Sequence, residues 1–155
     1  MAEHPPVTAV ALFFDDIRVE VGNKLTMVGQ YVTQMVLADP AILVDRLAVL
    51  LHVRWPRTYR LNNVALRMDL PGQPPQPYQD FPFEHPEGEP PFSPFACNVM
   101  QGVMQVRVPA LRVGDNIDVW LRVEGHEFPA GRLRVVAPPD ADASRGAGAT
   151  ADPAT

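Results

Sequence analysis

Cysteine is almost absent from this 155-residue chain: Cys97 stands alone. One thiol excludes an internal disulfide framework and any metal site built from clustered cysteines. Lysine is equally scarce, with Lys24 the single lysine among 13 basic residues. No long apolar run occurs. The strongest, Leu47–Val53, is interrupted by His52, far short of the ~20 residues that span a bilayer. The N-terminal Met1–Pro6 lacks a charged stretch leading into an apolar one, so it does not read as a signal peptide. These absences set a soluble, cytoplasmic protein with no membrane partner as the expectation. The preference for arginine, beside abundant alanine, proline and glycine, fits a GC-rich coding bias and a bacterial source.

Motifs of catalysis are missing as well. There is no glycine-rich phosphate cradle and no G-x-S-x-G elbow. The four histidines, His4, His52, His85 and His126, form no H-x-x-x-H or H-E-x-x-H pair. Cys97 opens an apolar strand with no basic neighbour to activate it, and Ser93 and Ser144 have no visible base. The expectation is a protein that is not an enzyme and needs no cofactor. The net charge is −5, and the tightest basic group, Arg54, Arg57 and Arg60, is too sparse to track a phosphate backbone. Nucleic acid is therefore not an expected partner.

What is present is alternation with period two, the mark of half-buried strands. Val10–Phe14 is a short apolar run. Ile17, Val19 and Val21 then alternate with Arg18 and Glu20, Gly22-Asn23-Lys24 turns the chain, and Leu25–Tyr31 returns as the second arm of a hairpin. Val32–Leu37 reads as extended. Ala41–Asp45 reads as a helical turn after Pro40, and Leu47–Arg54 as a strand buried on both faces. Asn62–Leu70, Val99–Val108, Ile117–Val123 and Phe128–Ala137 alternate in turn, with Glu124–Glu127 as the last hairpin loop. Seven to nine such strands predict an all-β fold. The expected form is a single antiparallel β-sandwich, immunoglobulin-like or C2-like, over residues 1–137. Residues 138–155 hold no large apolar side chain and are expected to be a disordered tail.

Nine of the 18 prolines fall in residues 71–96, together with five of the 12 aromatics: Tyr78, Phe81, Phe83, Phe92 and Phe95. A disordered linker is poor in aromatics, so this segment is expected to be an ordered loop laid over an edge or end of the sandwich. The functional alternative makes the same five rings a partner-binding patch. Asp15 and Asp16 follow the first apolar run, and Asp115 sits in a later turn. Loop carboxylates of this kind are candidate Ca2+ ligands. Scattered as they are, they read more readily as caps of turns and bulges.

The stretch Phe13-Phe14-Asp15-Asp16-Ile17-Arg18-Val19-Glu20, then Gly22-Asn23-Lys24-Leu25, then Gly29-Gln30-Tyr31, resembles the opening of a family of small bacterial all-β proteins. Their pattern reads F-x-D-D-x-R-x-E, G-x-K-L, G-x-Y. The resemblance covers about the first 30 residues. It implies the fold and brings no activity or catalytic residue with it. The expected function is a non-catalytic interaction or scaffold domain that binds a protein partner or self-associates. The alternatives are a Ca2+- or ligand-binding sandwich using loop carboxylates, and a hydrolase whose site assembles from distant loops.

Overall fold

Strict alternation leaves each strand one apolar face to bury, and two sheets stacked face to face satisfy all of those faces at once. The computed structural model of the protein describes residues 5–22, 24–38, 44, 46–81, 97–108 and 110–139. They form nine strands: β1 (Thr8–Glu20), β2 (Lys24–Tyr31), β3 (Gln34–Val36), β4 (Arg46–Pro56), β5 (Val64–Asp69), β6 (Gln79–Asp80), β7 (Cys97–Arg107), β8 (Asn116–Val123) and β9 (His126–Val136). One sheet, sheet A, has the order β2-β1-β4-β7, and the other, sheet B, the order β3-β9-β8-β5-β6. The all-β sandwich expected from the alternation is the fold. One pairing departs from the antiparallel rule: β3 runs parallel to β9, Gln34 opposite Arg134.

The inner faces meet in one core. Ala11 and Phe13 of β1 and Leu47, Val49, Leu51, Val53 and Trp55 of β4 face Val64, Leu66 and Met68 of β5 and Leu133 and Val135 of β9. β8 supplies every second residue, Ile117, Val119, Leu121 and Val123, each fully buried. β4 is central in its sheet and buried on both faces over Leu47–Leu51, as that unbroken apolar run requires. Its other face places Ala48 and Leu50 with Phe14 and Ile17 in a second cluster.

Local details depart from the sequence reading for identifiable reasons. β1 is a single 13-residue strand rather than an apolar run plus a separate arm. Asp15-Asp16 does not end it, because Asp15 folds over Gly29 of β2, where a side chain would collide with that carboxylate. Val32–Leu37 is not continuous: the chain breaks at Val32-Thr33 and crosses to the other sheet as β3. The last hairpin turns on only two residues, Glu124 (φ 49°) and Gly125 (φ 83°). That is the mirror-image turn whose twist matches the strands it joins. Glu124 tolerates the unusual φ because its carboxylate accepts backbone hydrogen bonds from Asn62 (2.8 Å) and Asn63 (3.3 Å) at the approach to β5. The turn placed at Ala41–Asp45 apart from Val44, the whole of the segment 82–96 and the tail beyond Pro139 lie outside the described residues.

The sheets come closest where β9 crosses β1. A Cβ on Gly131 would stand 3.0 Å from both the Cβ and the carbonyl oxygen of Ala11. Backbone cannot yield as a flexible side chain can, so Gly131→Val should wedge the sheets apart. We expect a loss of about 1–3 kcal/mol in urea unfolding. An unchanged midpoint would mean that the sheets are not held this closely.

Candidate interaction surface

An open sandwich ends in four sheet edges, each a row of unpaired backbone donors and acceptors that can template a foreign strand. Three of the four are blunted. β3 has three residues and β6 two, too short to present a useful ladder. β2 carries Lys24 at its start and Gly29 at φ 64° within it, a conformation that breaks regular pairing. β7 differs. It has 11 residues, pairs with β4 over its whole length, and among the described residues has no strand on its other side. From Cys97 to Val106 it holds neither proline nor a charged side chain.

The middle of β7 is glycine. Gly102 is opposite Leu51 of β4, on the side facing the core. The Phe81 ring lies where a Gly102 side chain would go, so an aromatic from the proline-rich loop covers a glycine of an edge strand. Met100, Met104 and Val106 on the same side of β7 are only partly buried against the core. A cleft of about 260 Å3 opens beside them, lined by Leu66, Met68, Met104 and Val106 and rimmed by Gln73, Gln76 and Gln79.

Tyr78 pins the loop to the other sheet. The Arg67 guanidinium lies 4.8 Å and that of Arg122 4.3 Å from the centre of its ring, and Trp120 receives Arg67 at 5.6 Å. Burial first, and then the Glu127 carboxylate, hold the Tyr78 phenol above the usual tyrosine value. Two residues on, Asp80 and Gln79 pair with Ala65 and Leu66 as β6. Of the five rings singled out in the sequence, Tyr78 and Phe81 thus serve as anchors of the loop. Phe83, Phe92 and Phe95 lie outside the described residues.

The candidate metal ligands are engaged by groups of this chain. Asp15 accepts a hydrogen bond from the Tyr31 hydroxyl. Asp16 pairs with Arg18 at 2.8 Å and lies 3.7 Å from Arg46. The hydrogen bond from Arg18 lowers its carboxyl below the usual value. Asp115 accepts the backbone N–H of Arg112 at 2.7 Å and donates its own N–H to the Arg112 carbonyl at 3.0 Å, closing a turn. Among the described residues no three histidine, cysteine, aspartate or glutamate side chains gather as a metal site. His52 lies 3.4 Å from the Gln101 amide, ring nitrogen to side-chain nitrogen. A cleft of about 420 Å3 lies at the β8–β9 bulge, against Trp120, Pro129, Gly131 and the Asp118–Arg132 pair.

The sequence reading did not find the β7 edge or the Gly102–Phe81 contact. One signal was available: a lone glycine inside an alternating strand marks close approach by another group. No family model matches the chain, and no curated protein is significantly similar to it.

Two predictions follow from this geometry. Gly102→Ala should destabilise the wild type by about 1–3 kcal/mol through overpacking against Phe81. In a Phe81→Ala background the same change should be close to neutral. A coupling below about 0.5 kcal/mol in this double-mutant cycle would show that the two do not touch. Tyr31 is pushed up to about 12, first by burial and then by its hydrogen bond to the Asp15 carboxylate. Its folded value lies above the unfolded one of about 10. The stability this contributes is fully present below pH ~10 and is lost as pH rises through the folded value. In an alkaline absorbance titration, Tyr31→Phe should remove the phenol step near pH 12; persistence of that step would refute the assignment.

Proposed function

We propose that the protein is a non-catalytic interaction domain whose β-sandwich accepts a partner's strand along β7. The observation that carries this reading is the contrast among the four edges: two are very short, β2 carries a left-handed glycine, and β7 is long and regular with its single charge at its last residue, Arg107. Added strands bind through main-chain hydrogen bonds, with side chains on alternate positions giving selectivity. The partly buried Met100, Met104 and Val106 would supply apolar contacts on one side, and Val99, half exposed, on the other. The calcium alternative draws less support, because Asp15, Asp16 and Asp115 already hold donors of this chain. The hydrolytic alternative draws less support, because the acid in the β8–β9 cleft, Asp118, is already paired with Arg132.

The test uses lysines on the edge, a device that natural sheets use against strand addition. Immobilised wild-type protein should capture partners from a lysate of its source. A Val99→Lys/Gln105→Lys variant with an unchanged circular dichroism spectrum and melting point should capture none of them. Identical capture by both proteins would sink the reading.

A further inference from the structure

We infer that the strand taken up by β7 is β7 of a second copy of this chain, antiparallel about a two-fold axis through Gly102. The inference rests on the reading of β7 as the binding edge and names its occupant. Full overlap of two 11-residue strands places Gly102 opposite Gly102, and three features of the strand suit that arrangement.

The first is side-chain symmetry. Met100 of one copy falls opposite Met104 of the other, so the partly buried row against the core continues across the axis. On the outer side Gln101 falls opposite Val103, and Val99 opposite Gln105. Central glycines facing each other leave no steric obstacle, and each is covered from its own core by Phe81. The second is charge. The strand's single charged residue, Arg107, falls opposite Cys97 of the other copy. No like charges are set face to face, the arrangement that destabilises cross-strand pairs.

The third is closure. A two-fold pairing uses one edge from each copy and the same edge in both. The result is an eight-stranded sheet running β2-β1-β4-β7 and back through β7-β4-β1-β2. It ends on both sides at β2, whose regularity Gly29 interrupts. Growth therefore stops at two copies, which answers the hazard that an 11-residue edge with a single terminal charge otherwise presents.

Sedimentation velocity over a range of protein concentrations tests the pairing. The wild type should show a concentration-dependent dimer. In Val99→Lys/Gln105→Lys, full overlap sets two pairs of like charges opposite each other, and the dimer should be lost. Val99→Glu/Gln105→Lys keeps the same change at position 105 but sets opposite charges face to face, and it should remain dimeric. Circular dichroism melting must show both variants folded. A wild type that stays monomeric overturns the inference. Hydrogen exchange then names the occupant: protected β7 amides in a monomer mean that the edge is covered by the chain's own residues 82–96. A dimer that survives both lysines, or that both variants abolish, overturns the pairing through this register. The interaction-domain reading itself stands or falls separately. It survives a monomeric wild type if the lysine variant still loses captured partners, and fails with it if capture is unchanged.

Discussion

A sheet that does not close on itself must stop somewhere, and where this one stops governs much else in the molecule. The central strands need no special device. β4 lies between β1 and β7 with both faces buried, and β8 lies between β9 and β5 with Ile117, Val119, Leu121 and Val123 wholly in the core. Each is paired along both sides for most of its length. Among the described residues the peripheral strands are paired on one side only, and the chain treats them unequally. Sheet ends formed by β3 and β6 are cut to three and two residues. β2 is kept long but interrupted. Only β7 combines length, regularity and an apolar composition, and it flanks the most deeply buried strand of the fold.

The interruption in β2 explains residues that looked at first like a candidate metal site. Phe14 pairs with Gln30 and Asp16 with Val28, so Asp15 stands opposite Gly29. Glycine is required there twice over, because the backbone is left-handed and because the Asp15 carboxylate occupies the space of a side chain. Tyr31 then donates its hydroxyl to that carboxylate. Asp15, Gly29 and Tyr31 are thus parts of one lock between β1 and β2. Asp16 turns instead toward Arg18 and Gln105, and through Gln105 it reaches β7. The Gln105 amide also donates to the Ile17 carbonyl at 2.9 Å. A pair of acidic residues that could serve calcium serves, in this geometry, to hold three strands of one sheet in register.

Period-two alternation made the strands legible. Side chains on a half-buried strand must alternate, whatever the topology. The turns were legible where glycine or proline imposes a backbone angle, as at Gly22 and Gly125. The double burial of β4 was legible in Leu47–Leu51, since an unbroken apolar run has no solvent face to offer. Strand order was not legible, because alternation states which face is buried and not which neighbour buries it. The break at Val32-Thr33 was hidden for the same reason: an extended segment can change sheets without altering its pattern. Gly102 could have been suspected, but Phe81 could not have been named as its cover from sequence separation alone. The cationic setting of Tyr78 depends on Arg67 and Arg122 meeting across the β5–β8 pairing, where Ala65 is opposite Arg122 and Arg67 opposite Trp120.

The proline-rich segment also belongs to the problem of edges. Pro71, Pro74, Pro75 and Pro77 precede β6, and a proline has no backbone N–H to offer a ladder. A chain that arrives through such residues can add two pairs to β5 and no more, so sheet B is closed by composition as well as by brevity. Tyr78, under two arginines, and Phe81, over Gly102, fix the two ends of β6: one ring on the outer face of sheet B, the other against sheet A. A single short stretch therefore seals one edge and braces the middle of the other sheet's free strand from behind. Bracing matters for β7. A glycine at the centre of an edge strand weakens it, and a strand that sags cannot present a straight ladder. By filling the space at Gly102 from the core side, Phe81 supports β7 without itself occupying the strand's outer hydrogen-bonding groups. The proline-rich stretch thus closes sheet B at β6 and braces β7 of sheet A from behind.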